Sequence, residues 1–140
     1  MPVEFFLDTN ILVYTFDETA PDKQIKARAL VERALEHQTG VISYQVTQEF
    51  INVATRKFTP PLSPAQTLRY LHEVLEPLCA VFSGNDLYRK AIGIQERWRY
   101  SFYDSLIIAS ALSAGCNTLY SEDLQASQSI ESLTIVDPFR

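Results

Sequence analysis

The sequence predicts a single α/β domain, residues 1–140, in which a parallel sheet of five strands lies between two layers of helices. Short apolar runs alternate with stretches of helical periodicity along the whole chain, the pattern of strand–helix–strand units. The 140 residues contain no linker, repeat or low-complexity segment, and this length is usual for one domain. A hydrophobic content of 46% is sufficient for a packed core.

The five strands are placed by short apolar runs that end at turn residues. The first run is apolar except for Glu4 and stops abruptly at Asp8, which therefore falls at the carboxyl end of an inner strand. In open α/β sheets, ligands bind beyond this end of the strands. The predicted strands span about 3–7, 41–43, 78–82, 117–121 and 133–136.

The helices are placed by apolar residues that recur every three or four positions. One helix begins with a capping box formed by Ser63 and Gln66. Another, which Ser101 opens and Gly115 ends, is apolar on nearly every side and should be buried. The predicted helices span about 10–16, 21–38, 46–58, 63–75, 87–98 and 101–114.

The net charge of −5 argues against a protein that holds nucleic acid by its overall charge. A nuclease remains compatible with this charge, because bound divalent cations reverse the local field at an acidic site. No apolar run of about 18 residues is present, so no membrane span is expected. The amino terminus does not resemble a secretory signal, and the cytoplasm is the expected location. Cys79 and Cys116 are isolated and should be reduced core residues.

Four carboxylates stand where a structural role alone explains them poorly. Asp8 and Asp123 follow strands, and in a parallel sheet those strand ends share one edge. Glu49 lies at the edge of an apolar helical stripe, and Asp104 begins the most apolar helix. The alternatives are helix caps or turns for the three aspartates and a half-exposed surface position for the glutamate. Acids that converge at one edge repel one another unless a cation intervenes, and carboxylate oxygens suit Mg²⁺ or Mn²⁺ rather than zinc.

At these residues the sequence resembles the PIN domain family, and within it the VapC-type toxins of bacterial toxin–antitoxin pairs. The resemblance covers essentially the whole chain, with the segments in order and at family-like spacing. It implies a five-stranded parallel α/β/α sandwich and a ribonuclease that depends on Mg²⁺ or Mn²⁺. The matching segments are 7–10 (LDTN), 48–50 (QEF), 103–111 (YDSLIIASA) and 119–123 (LYSED).

The resemblance also assigns roles to individual residues. Glu122 adjoins the fourth acid, so the sequence leaves open which of the two carboxylates holds that position. Asn10 and Ser121 match polar helper positions that orient the carboxylates. The first and fourth strands are implied to be neighbours, which would place the crevice between them. The implied catalytic and metal-binding acids are Asp8, Glu49, Asp104 and Asp123.

The expected partners are an RNA substrate, a cognate antitoxin that blocks the site with a basic side chain, and a second copy of the chain in a homodimer. The last two are implied by the resemblance alone. Trp98 lies between two arginines, as in proteins that stack on bases, although its spacing assigns it to the core stripe of its helix. The candidate RNA contacts are Arg56, Arg97 and Arg99.

Two other functions are compatible with parts of the sequence. Mg²⁺-dependent phosphotransfer proteins, namely receiver domains and haloacid-dehalogenase-type phosphatases, also place an aspartate after the first strand. The phosphatase pattern requires a second aspartate where Asn10 stands, and both classes require a late lysine, whereas no lysine follows Lys90. The other alternative is a binding module on the same fold without catalytic activity.

Overall fold

A computed structural model describes residues 2–140, and in this range the chain forms six strands and seven α-helices. The strands are β1 (Phe5–Leu7), β2 (Gly40–Ser43), β3 (Cys79–Val81), β4 (Thr118–Tyr120), β5 (Ser129–Ile130) and β6 (Leu133–Val136). The helices are α1 (Thr9–Tyr14), α2 (Pro21–His37), α3 (Tyr44–Arg56), α4 (Pro64–Tyr70), α5 (Glu76–Leu78), α6 (Asn85–Trp98) and α7 (Phe102–Ser113).

The strands form one sheet in the order β3-β2-β1-β4-β6-β5, flanked by helices, which confirms the predicted α/β class. The prediction of five parallel strands was wrong, because β5 adds a sixth strand that runs antiparallel to β6. This strand has only two residues, too few to show an apolar period. Its hairpin turns through Glu131, which has a φ of 54° and is not one of the glycine or asparagine residues that usually mark such turns.

The helix predicted at about 63–75 is longer and less regular than its sequence pattern suggested. The capping box of Ser63 and Gln66 is present at the start of α4. A π turn (Leu71–Leu75) then joins α4 to α5, which ends directly at β3. The predicted burial of the apolar helix is confirmed, since every residue from Ser105 to Ala111 in α7 is buried.

The core surrounds β1, whose three residues are all buried. Cys116 is buried and Cys79 is half-buried, and both are free thiols, as predicted. Across residues 2–140, no helix combines the length and the apolar character needed to cross a membrane.

The order in which the chain adds strands to the sheet changes side at β1, although the strands there remain parallel. From β1 the chain adds β2 and β3 on one side, and it then crosses to β4 on the other side. β1 and β4 are parallel and pair Leu7 with Tyr120, so the residues that follow them, Asp8 and Ser121, emerge side by side. The predicted adjacency of the first and fourth strands is therefore confirmed, and it creates a crevice at the carboxyl ends of both.

Candidate functional site

Asp8 occupies the junction between β1 and α1. Its Oδ1 accepts a hydrogen bond of 2.7 Å from the backbone N–H of Thr9, and its backbone conformation makes it the N-cap of α1. Its Oδ2 accepts a second bond, also 2.7 Å, from Ser121 Oγ on the neighbouring chain segment. The capping alternative is therefore correct, but it accounts for only one of the two carboxylate oxygens.

Burial makes Asp8 an unusual carboxylate. The residue is only 9% exposed, and this loss of hydration raises its pKa from 3.8 to about 6. Hydrogen bonds from Ser121 and Thr9 oppose the shift, whereas the negative charges of Glu49 and Asp123 reinforce it. The ionised form of Asp8 is thus destabilised in the folded protein, and a nearby cation would stabilise it.

Asn10 and Ser121 connect the first predicted acid to the fourth. The Asn10 Nδ2 donates to Asp123 Oδ2 at 3.1 Å and to Ser121 Oγ at 3.4 Å. The Ser121 Oγ, which donates to Asp8, also accepts from the backbone N–H groups of Asp123 and Leu124. Both residues predicted as helpers therefore contact the carboxylates that they were expected to orient.

The two adjacent acids Glu122 and Asp123 face different surroundings. The Glu122 carboxylate accepts hydrogen bonds from Tyr14 Oη at 2.6 Å and from Lys23 Nζ at 2.5 Å. Although burial works against it, these two partners hold the pKa of Glu122 below its usual value. Asp123 instead contacts Asn10 on the side of Asp8. Asp123 is therefore the better candidate for the fourth position.

Glu49 and Asp104 belong to the helices α3 and α7, and each keeps part of its surface exposed to solvent. Partial burial raises the pKa of Glu49, the charges of Asp104 and Asp123 raise it further, and a hydrogen bond from Gln45 opposes both. Since Glu49 also acts on Asp8, the three carboxylates of Asp8, Glu49 and Asp123 lie within electrostatic reach of one another, and Asp104 lies within reach of Glu49.

The capping alternative for Asp104 is only half correct. Ser101 is the N-cap of α7, and its Oγ accepts a bond of 3.2 Å from the backbone N–H of Asp104. Within residues 2–140, no hydrogen bond returns from the backbone of Ser101 to the Asp104 carboxylate. The backbone of Asp104 therefore serves the cap, while its side chain is available for another role.

Gln45 is a residue of the site that the sequence did not reveal. It is 5% exposed, and its Nε2 donates to the backbone carbonyl of Tyr103 at 3.3 Å. Because its side chain also interacts with Glu49, it joins α3 to the first turn of α7 next to Asp104. A glutamine in the first turn of an amphipathic helix resembles an ordinary solvated residue, but its position one turn before Glu49 on the same face of α3 was the available sign.

The oxygen atoms at this edge of the sheet are suitable ligands for a divalent cation that retains most of its bound water molecules. Several oxygens buried at this edge have no hydrogen-bond partner and need water or a cation. Among residues 2–140, no three acidic, histidine or cysteine side chains stand close enough to ligate one ion together. Mg²⁺ commonly binds through one or two carboxylates and retains waters, which suits this arrangement better than a closed cage does. The unpartnered oxygens are Thr9 Oγ1, Ser43 Oγ, Gln45 Oε1 and Ser105 Oγ.

The arginines proposed to contact RNA are exposed at helix ends. Arg56 is in the last turn of α3, and Arg99 caps α6 with a φ of 65°. The guanidinium of Arg97 lies 5.4 Å from the ring centroid of Trp98. Trp98 is half-buried against the core, as its spacing indicated, so its ring is not free to stack on a base from both sides.

A groove opens along the same face of α3 that carries Glu49. Val53 and Lys57 lie one and two turns after Glu49, and both line this cavity of about 770 Å³. Its other walls come from the end of α1 and from the loop between α3 and α4, including Phe16 and Phe58. Apolar side chains therefore share the walls of the groove with polar ones such as Asp17 and Glu18, and the groove begins one turn beyond Glu49 on α3.

Comparisons with known proteins agree with this fold. The fold resembles a toxin–antitoxin complex from Klebsiella pneumoniae, with 18% identity, a TM-score of 0.72 and coverage of 96% of this chain and 98% of that one. It also resembles FitAB bound to an IR36 DNA fragment, with 14% identity, a TM-score of 0.69 and coverage of 97% and 96%. No curated protein sequence matches the chain. The family model of the PIN domain matches residues 5–128, which include β1 to β4 and all four acids, and the chain therefore belongs to the PIN domain family.

Proposed function

We propose that this protein is a ribonuclease that depends on Mg²⁺ or Mn²⁺ and serves as the toxin of a type II toxin–antitoxin pair. PIN domains are generally nucleases, which supports hydrolysis of phosphodiester bonds at the family level. The observation that carries the proposal is the buried Asp8, whose pKa responds to Glu49 and Asp123 at the crevice between β1 and β4. A site with this much negative charge suits phosphate chemistry only when a cation balances it.

In this proposal, a divalent ion would be held by Asp8, Glu49, Asp104 and Asp123, directly or through water. The ion would supply a water of lowered pKa and neutralise charge on the phosphate oxygens. Ser121 and Asn10 fix the carboxylates of Asp8 and Asp123 through hydrogen bonds, so that little reorganisation is needed when the substrate arrives. The products of hydrolysis are a phosphate monoester and a free hydroxyl.

The test is cleavage of single-stranded RNA by the purified protein, with single-stranded DNA of the same sequence alongside. We expect RNA cleavage with Mn²⁺ or Mg²⁺ and none with EDTA. Glu36→Gln removes one negative charge from an exposed position on α2 and should leave cleavage unchanged, whereas Glu49→Gln should abolish it. Failure to cleave any RNA with Mn²⁺ present would favour the alternative of a non-catalytic binding module.

We further propose a protein antitoxin that occupies the groove beside Glu49 and extends a basic side chain to the acids. The apolar walls of Val53, Phe16 and Phe58 suit apolar side chains of such a partner, and the acids suit its cation. The structural neighbour described as a toxin–antitoxin complex is consistent with this arrangement.

Co-expression with the product of an adjacent reading frame tests the antitoxin. We expect a complex that purifies intact and lacks ribonuclease activity, and Val53→Asp should weaken it because the substitution buries a charge in the groove. A complex that retains full cleavage would contradict the proposal. The mass of the purified protein in solution tests the predicted homodimer at the same time.

A further inference from the structure

We propose that Lys23, on α2, is a positioning residue for the acidic site and acts through Glu122. The inference rests on the proposed function, because it concerns how the candidate metal-binding residue Asp123 is held. Lys23 belongs to a different element from all four acids, and no sequence motif connects it to them.

Lys23, Glu122 and Tyr14 form a closed triangle of contacts. The Glu122 Oε2 lies 2.5 Å from Lys23 Nζ, its Oε1 accepts a bond of 2.6 Å from Tyr14 Oη, and Lys23 Nζ donates to Tyr14 Oη at 3.3 Å. The side chains of Lys23 and Glu122 are 39% and 24% exposed, so the ion pair is partly shielded from water. Each group therefore fixes the positions of the other two.

Aromatic rings complete the surroundings of the lysine. Its Nζ lies 4.9 Å from the ring centroid of Tyr14 and 5.7 Å from that of Phe139, within the range of cation–π attraction. The two rings pack edge to face with their centroids 5.0 Å apart. The triangle thus ties the segment after β4 to α1, to α2 and to the carboxyl-terminal residues.

The backbone of Glu122 connects this triangle of contacts to the acidic site. Its N–H donates to Asn10 Oδ1 at 3.2 Å, and the Nδ2 of the same Asn10 donates to Asp123 Oδ2. The residue before Glu122 is Ser121, whose hydroxyl donates to Asp8. A shift of Glu122 would therefore disturb the hydrogen bonds that orient both Asp8 and Asp123.

The charge of Lys23 has a second effect. Glu122 is a fifth carboxylate next to the four candidate acids, and the ion pair both compensates its charge and directs its side chain away from Asp123. Without the lysine amine, Glu122 would keep one hydrogen bond from Tyr14 and lose its hydrogen-bonded cation, which leaves only the charge of Arg140. The segment would then be free to take orientations in which Asp123 no longer contacts Asn10.

The experiment compares Lys23→Met with Lys26→Met, which removes the same charge one turn later on the exposed face of α2. In EDTA, amide hydrogen exchange at residues 122–124 should be roughly tenfold faster in Lys23→Met, as expected when a hydrogen bond to a charged group is lost. Titration with Mn²⁺ should give binding about tenfold weaker, typical for loss of a group that orients a ligand. Lys23→Arg should restore both values, and Lys26→Met should change neither.

The outcomes separate the two proposals. If the wild-type protein binds no Mn²⁺, the proposed function fails, while the exchange measurement still decides whether Lys23 positions the segment. If the wild-type protein binds Mn²⁺ and Lys23→Met shows unchanged exchange and unchanged binding, the role of Lys23 is overturned. If Lys23→Met does not fold, Glu122→Gln, which removes the other charge of the pair, should give the same two changes, and wild-type values in that variant would also overturn the proposal.

Discussion

Replacement of Asp8 by asparagine should abolish RNA cleavage and, without metal at pH 7.5, make the protein more stable. The loss of activity is expected because Asp8 is the most buried of the four candidate acids and is connected to Asp123 through the hydrogen bonds of Ser121 and Asn10. Loss of a metal ligand costs several kcal/mol of transition-state stabilisation, which corresponds to roughly 10³-fold in rate.

The gain in stability follows from the raised pKa of Asp8. The unfolded chain loses the proton near pH 3.8 and the folded protein only near pH 6, so the folded state binds more protons between these values. The free energy of unfolding of the wild-type protein therefore falls as the pH rises from about 4 to about 7, by at most about 3 kcal/mol from this group. The asparagine side chain carries no charge, so the Asp8→Asn variant should escape this loss.

Urea unfolding in EDTA at pH 4 and at pH 7.5 measures the effect in both proteins. The two should have similar free energies of unfolding at the acidic pH, and the Asp8→Asn protein should be more stable at the higher one. Millimolar Mn²⁺ should stabilise the wild-type protein at pH 7.5 but not the variant, because a ligand that binds only the folded state raises its stability. A variant that cleaves RNA normally would remove Asp8 from the site.

Substitutions at Asp104 and Ser101 should separate catalysis from helix capping. Asp104→Asn keeps the backbone N–H that Ser101 caps, so we expect a change of at most about 1 kcal/mol in unfolding free energy, from the lost charge near the helix amino terminus. Its cleavage of RNA should nevertheless fall by roughly 10³-fold if the carboxylate holds the cation.

Ser101→Ala is the matched control and should have the opposite effect. It removes the cap and should cost about 1 kcal/mol of stability, while RNA cleavage is retained. Urea unfolding and initial cleavage rates measure both quantities in the same preparations. A large loss of stability in Asp104→Asn with normal cleavage would show that the acid is structural.

The residues of the site that could be predicted from the sequence are those that follow the ends of strands β1 and β4. Asp8, Asn10, Ser121 and Asp123 follow two strands whose apolar runs are clear, and parallel pairing brings such residues together without further detail. The alternation of strands and helices indicated the class of the fold for the same reason. The backbone positions the side chains that follow a strand, so their location can be predicted once the strand is recognised in the sequence.

The remainder depends on contacts between elements that are distant in sequence. Lys23 and Glu122 are 99 positions apart, and nothing local distinguishes this lysine from Lys26 three residues later. Gln45 is of a residue type usually found at the surface, yet it is buried and donates a hydrogen bond to the carbonyl of Tyr103, which is 58 positions away. The strand β5 exists because β6 offers an edge to pair with, and its own two residues have no recognisable strand pattern.

The register between β1 and β4 constrains how the length of the chain can vary among related proteins. An inserted or deleted residue within 118–121 would turn Ser121 to the opposite face of the sheet and break its bond to Asp8. Changes of length at 125–126, which lie between the residues that Ser121 holds and those that bond to β6, would leave that bond intact. Related proteins can therefore differ in length at 125–126, whereas the spacing from β4 to Ser121 must stay the same.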